Sequence, residues 1–115
     1  MTMNILIKSE DNLRIFGTTN GTITDENVDF MENYILTMPK ETNCKFAINL
    51  HNVKKISEKL MEFIKKFQTM LCCLNSDILA YFMLTKAVNY LKVYVSEGDL
   101  IEDRRRLLKR EFFVV

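Results

Sequence analysis

Residues 45–50, Lys-Phe-Ala-Ile-Asn-Leu, leave almost no polar side for water, and this segment constrains the fold more than any other. A strand that is apolar on both faces suits the centre of a sheet covered on each side, whereas a strand with one wet face alternates. The next segment supplies one of the covers. With Ser57 as its cap, Leu60, Phe63, Ile64, Phe67, Met70 and Leu71 fall on one side of a helix, and Glu58, Glu62, Lys65 and Thr69 on the other.

The flanking segments follow the same layered logic. Residues 3–8 and 13–18 alternate apolar and polar side chains about a Ser-Glu-Asp-Asn connector, the pattern of a half-buried hairpin. Thr24 then caps a helix whose first turn carries Asp25 and Glu26, and Val28, Met31, Ile35 and Met38 form its apolar stripe. Pro39 ends it, because the residue before a proline is pushed out of the helical region. Beyond the second helix, the turn signal Leu-Asn-Ser-Asp leads to a strand at about 77–84. Thr85 caps a short helix reaching Leu91, and residues 93–95 read as an edge strand. A turn at Gly98, a cap at Asp99 and Glu102 three residues later open a last helix carrying Ile101, Leu107 and Leu108. The Phe-Phe-Val-Val tail is apolar enough to be expected to pack.

The order is strand, strand, helix, strand, helix, strand, helix, short strand, helix. Alternation after the first hairpin implies right-handed parallel crossovers, so the fold class is α/β with a mixed sheet. About four to five strands and about four helices are expected, in a single domain spanning residues 1–115. A content of 48% apolar residues is enough for one core at this length.

Charge and cysteine usage narrow the function classes. Sixteen basic residues against fifteen acidic ones supply no global field for nucleic acid or an anionic membrane. A protein partner or a small ligand fits that balance better. The N-terminal segment lacks a basic leader and a small-residue cleavage pattern, and no uninterrupted apolar run approaches the roughly 20 residues that span a bilayer. Cys44, Cys72 and Cys73 are odd in number and have no Cys-x-x-Cys spacing. A reduced, cytoplasmic protein without membrane insertion is expected.

Together with the order of elements, the stretch Phe-Ala-Ile-Asn-Leu-His-Asn-Val-Lys-Lys-Ile-Ser-Glu-Lys-Leu-Met-Glu-Phe-Ile resembles the STAS family. These are the domains of bacterial anti-sigma factor antagonists, also appended to sulphate transporters. In that family a central strand ends in Asp-Leu-Ser, and a later Asp-Ser-Ser/Ala-Gly-Leu-Gly motif opens the second helix, its first serine being phosphorylated by an anti-sigma kinase. Here Asn49-Leu50-His51 stands where Asp-Leu-Ser is expected, and Val53 and Ile56 keep the apolar positions. Ser57 takes the place of the Asp and Glu58 that of the phosphorylated Ser, while Lys59-Leu60-Met61-Glu62 replaces the glycine-containing remainder. Glu58 cannot be switched by a kinase, although its charge partly imitates a phosphate of about −1.5 to −2.

The resemblance therefore implies a non-enzymatic protein-interaction module in signalling and transcription regulation. Its partner would be an anti-sigma factor or a kinase-like regulator. The expected contact surface is the start and outer face of the second helix, with Ser57, Glu58, Met61, Glu62 and Lys65. Ser57 reads first as a helix cap; the alternative is that it accepts the phosphate, displaced by one residue. A constitutive adaptor subunit of an ABC-transporter or scaffold assembly is the second function implied, and a monomer or weak homodimer is expected.

Other chemistry is weakly represented. His51 is the single histidine and has no metal-ligand spacing around it, so a structural or surface role is expected and no metal or cofactor. Cys72-Cys73 reads as buried at the end of the second helix rather than as redox-active. With three glycines and no phosphate-cradling loop, a nucleotide-using enzyme is disfavoured. The run Arg-Arg-Arg-Leu-Leu-Lys-Arg at 104–110 reads as a solvated face, with nucleic-acid binding through this helix as the alternative from another class.

Overall fold

The computed structural model describes residues 5–39, 43–86 and 91–113, and the side chains of residues up to 106. A hairpin opens the chain: β1 (Ile5–Glu10) pairs antiparallel with β2 (Leu13–Thr18), Ile5 opposite Thr18 and Glu10 opposite Leu13. Then α1 (Asp25–Thr37), β3 (Lys45–Asn49), α2 (Glu58–Phe67), β4 (Met70–Cys72), α3 (Ser76–Leu84), β5 (Val93–Tyr94) and α4 (Glu97–Phe113) follow. The sheet is ordered β1-β2-β3-β4-β5, with β2 to β5 parallel. This is the expected mixed sheet and the expected order of elements.

Because each parallel crossover steps one strand in the same direction, a common handedness puts α1, α2 and α3 on one face. The packing agrees. Phe16, Ile48 and Leu71 point from the sheet into a core shared with Val28 and Met31 of α1, Leu60 and Ile64 of α2, and Ile78 and Phe82 of α3. Leu13, Ile15, Ala47, Met70 and Cys72 point the other way, onto Leu100 of α4. Thus β3 alternates Ala47 toward α4 with Phe46 and Ile48 toward the other helices, which is why it carries apolar residues on both faces.

The caps explain most boundaries. Thr24 accepts from the Asn27 N–H and Asn27 returns the bond to the Thr24 N–H, a reciprocal box that starts α1. Met38 leaves the helix in extended geometry (φ −72°, ψ 142°), as Pro39 demands. Asn75 caps α3 through the Ile78 N–H at 2.9 Å. Across the other face, the Tyr94 hydroxyl donates to Asp103 and ties β5 to α4. Burial and this bond push the phenol up to about 12.

Four expectations change. α2 stops at Phe67, because Gln68 adopts a left-handed conformation (φ 50°) and its N–H caps the Ile64 carbonyl. Met70 and Leu71 therefore lie on β4, not on the helix, and so does Cys72. Residues 77–84 are helical, since the strand position beside β3 is filled by β4 and a parallel return to β5 needs a crossover. Thr85 accordingly ends α3 instead of starting a helix, its N–H bonding the Tyr81 carbonyl at 3.0 Å; residues 87–90 lie outside the description. The last helix begins at Glu97, with the Ser96 hydroxyl accepting from the Asp99 N–H at 3.1 Å, so Ser96 and not Asp99 takes the capping role. The inward placement expected for Leu107 and Leu108, and the packing expected for the tail, fall outside the described side chains.

Candidate functional site

Since β2 to β5 run parallel, the segments that follow β2, β3, β4 and β5 gather along one sheet edge, where α/β proteins commonly place their binding surfaces. Two of these loops touch. Gly21 has φ +77°, and a Cβ there would lie 2.5 Å from the Asn52 carbonyl oxygen, so glycine is required twice over. From the other side the Asn75 amide donates to the Val53 carbonyl at 2.7 Å while capping α3. The 50–57 segment is thereby clamped between its neighbours, with Leu50 and Val53 fully buried beneath it. Two open clefts flank it. One of about 1040 Å³ has His51, Asn52, Cys73 and Asn75 in its wall, and one of about 500 Å³ has Asn20, Thr22, Lys55 and Ser57.

This clamped segment delivers the start of α2. Ser57 is half-buried and its hydroxyl accepts the Leu60 N–H at 3.1 Å, which makes it the N-cap. Glu58 occupies the first turn, where its charge is favoured by the helix dipole. Glu58, Met61, Glu62 and Lys65 fall at i, i+3, i+4 and i+7, so the helix brings four of the five expected residues onto one stripe. Glu58, Glu62 and Lys65 are exposed; Met61 is half-buried and packs its inner side on the core. Lys65 borders a different cavity, beside Gln68 and Leu91, so the stripe runs away from the clefts.

The charges around the stripe are mixed. Lys59 pairs with Asp29 of α1 at 2.7 Å and Lys66 with Glu32 at 2.7 Å, which fastens α2 to α1 along the flank beside the stripe. The Asp29 carboxylate holds the Lys59 ammonium above its ordinary value. Lys54 and Lys55 stand exposed just before the cap.

A second network lies under the same edge on the opposite face. Asn49, the last residue of β3, accepts the His51 N–H at 2.8 Å and donates its amide to Glu97 of α4. Lys8 of β1 pairs with the same carboxylate at 3.2 Å. Burial raises the Glu97 carboxyl, but Asn49 and Lys8 outweigh it and leave the group below the ordinary carboxylate value. An aspartate at position 49 would have no hydrogen to give Glu97, so asparagine fits this helix.

The remaining candidates separate. His51 is exposed on the turn after β3, and among the described residues no three of His, Cys, Asp and Glu converge on a metal position. Cys72 is fully buried, and burial followed by the neighbouring Cys73 thiol pushes its own thiol up. Cys73 is half-buried with φ 63° at the cleft wall. In the basic run, Arg105 turns back to Glu10 at 3.4 Å and Asp11 at 3.8 Å, Arg104 is half-buried, and Arg106 is exposed. The Lys8–Asn49–Glu97 network and the Gly21–Asn52 contact are not visible in the sequence alone; only the Asn-Gly dipeptide at 20–21 signals a turn.

No family model matches the sequence, and no curated protein matches it. Solved structures do match in shape. A Thermotoga maritima protein assigned as an anti-sigma factor antagonist, TM1081, superposes in its crystal structure with a TM-score of 0.72 at 18% identity, over 88% of this chain and 94% of that one. Its NMR structure gives 0.73 at 18% identity, over 92% and 91%. An anti-sigma-factor antagonist (STAS) domain protein from Planctomyces limnophilus gives 0.66 at 13% identity, over 90% and 98%. The fold is that of a STAS domain. Ser57 caps α2, Glu58 opens its first turn and Asn49 ends β3, the central strand of the sheet. Among the described residues no helix is long and apolar enough to cross a membrane.

Proposed function

We propose that this chain is a non-enzymatic interaction module of the anti-sigma factor antagonist kind. It binds an anti-sigma factor or kinase-like regulator through the start and outer face of α2. The observation that carries the reading is the stripe of exposed Glu58, Glu62 and Lys65 around half-buried Met61, which begins at a cap in the clamped 50–57 segment. A fixed platform with one apolar anchor between charges suits a protein surface, because little ordering entropy remains to be lost on binding. The likeness to anti-sigma factor antagonists supports the same choice of partner class.

A second reading has its own support. Ser57 already spends its hydroxyl on the Leu60 N–H, and the adjoining position carries Glu58 instead of a phosphorylatable residue. A constitutive adaptor, of an ABC-transporter ATPase or a scaffold, needs no kinase and tolerates this arrangement. The nucleic-acid alternative loses ground because Arg105 faces the carboxylates of Glu10 and Asp11.

Affinity purification at mild salt with mass spectrometry of the partners and of the Ser57 peptide separates these readings. An anti-sigma kinase with phosphate on Ser57 establishes the switched antagonist, and an ATPase or scaffold with an unmodified peptide establishes the adaptor. Glu58→Lys is then expected to weaken binding of the recovered partner by at least about tenfold. Its thermal transition should stay within a few degrees of the parent, because Glu58 is exposed. Loss of the transition together with binding would assign Glu58 a structural role and sink the α2 surface.

A further inference from the structure

α3 is apolar almost all round, and only one of its faces is buried inside the molecule. Ile78 and Phe82 enter the core, 3% and 0% exposed. The outward side is then Ala80 at its centre, with Met83, Leu84, Leu79 and Tyr81 around it, all exposed. Leu79, Tyr81, Met83 and Leu84 are 38%, 43%, 61% and 85% exposed. Together they present on the order of 400 Å² of contiguous apolar surface, within the roughly 300–600 Å² of the largest patch on a typical monomer, a patch that is often functional.

Reversing the direction of this face sets complementary residues against one another. About a point midway between Tyr81 and Phe82, Leu79 mirrors Leu84, Ala80 mirrors Met83, and Asp77 mirrors Lys86. No charge interrupts residues 78–85. Asp77, in the first turn of α3, and Lys86, two residues past its end with φ 60°, are exposed at opposite ends of the stripe, and neither has an ion-pair partner among the described residues. A two-fold axis through the middle of α3 therefore has everything it needs. Two antiparallel copies would set Leu79 against Leu84, the large Met83 against the small Ala80, and Asp77 against Lys86 twice over. Small against large at the crossing is what lets two helices interdigitate at the usual 8–10 Å separation.

We infer that α3 is a homodimer interface, in which a second copy of this chain packs antiparallel on Leu79, Ala80, Met83 and Leu84 with Asp77 and Lys86 paired across the two-fold. A patch of this size is below the roughly 800 Å² per partner of a standard interface, so the dimer is weak and forms in the micromolar range or above. The contacts are all on α3 and its C-terminal end and none is on the outer stripe of α2, and the interface stands whether or not that stripe binds the proposed partner.

Sedimentation velocity from micromolar to millimolar protein tests it, with the full chain and five variants. Leu84→Glu is expected to abolish the dimer, and Met83→Lys to do the same from a second exposed position. Asp77→Lys and Lys86→Asp, each alone, place like charges opposite one another at two symmetric points and are expected to raise the dissociation constant roughly tenfold. The double variant Asp77→Lys with Lys86→Asp restores opposite charges and is expected to recover the parent constant to within about threefold. Thermal melts verify that each variant is folded. A parent that stays monomeric to millimolar concentration overturns the interface. So does a dimer indifferent to Leu84 and Met83, and so does one that the double swap fails to restore.

Discussion

At the scale of single residues, Ser57 and Gly21 show how much of the candidate surface depends on local backbone chemistry. Ser57 holds one orphan amide of α2, so Ser57→Ala is expected to cost about 1 kcal/mol. For a domain of 115 residues that lowers the thermal midpoint by about 4 °C, read by calorimetry. Gly21→Ala is the harsher change. Its left-handed φ alone costs an L-residue about 1–2 kcal/mol, and the Asn52 carbonyl stands where the methyl would go. A loss of more than about 2 kcal/mol is expected in urea unfolding; a loss under half of that would mean the two loops separate freely. Caps were legible where a short polar residue precedes an apolar run, as at Thr24 and Ser57. They were not legible at Gln68, a left-handed residue without a glycine to announce it, and that omission carried the predicted helix through Met70 and Leu71.

Elements were harder to read than residues where an apolar run had no period. Residues 77–84 contain Ile, Leu, Phe and Met without alternation, and periodicity cannot separate a buried strand from a helix there. The decision is made by the sheet: the slot beside β3 belongs to Met70–Cys72, three residues too few to stand out in the sequence. The attachment of α4 was invisible for a similar reason, since it depends on Lys8, Asn49 and Glu97 from three separate elements. That attachment has a pH signature. The folded Glu97 carboxyl lies below its ordinary 4.5, so the folded state binds fewer protons than the unfolded one in the acid range. Its stabilisation is present above that ordinary value and is lost as pH falls through the lowered folded value. Denaturant midpoints between about pH 3 and pH 7 are expected to fall more steeply for the parent than for Glu97→Gln. Parallel curves would mean that Glu97 contributes nothing to the docking of α4.

On the scale of the whole molecule, the near balance of 16 basic and 15 acidic residues becomes a statement about partners once their positions are known. The α2 stripe is mixed in sign, Glu58 and Glu62 with Lys65, and neighbouring Lys59 and Lys66 are already paired to α1. The densest cationic run is partly turned onto the β1–β2 hairpin through Arg105. No face of the described residues is thus organised to neutralise a row of phosphates. Association with the physiological partner is therefore expected to change less than about tenfold between 50 and 200 mM salt, whereas a protein making 6–10 phosphate contacts loses about 10³–10⁵ over that interval. Fluorescence titration at several salt concentrations, against the recovered partner and against duplex and single-stranded nucleic acid, measures both. A shallow slope with the protein partner and no saturable nucleic-acid binding fits a surface whose specificity comes from shape around Met61. A steep slope that flattens on neutralising Arg104, Arg105 and Arg106 would move the functional surface from α2 to α4, because counterion release requires a cluster of free cations and only that helix has the sequence to supply one.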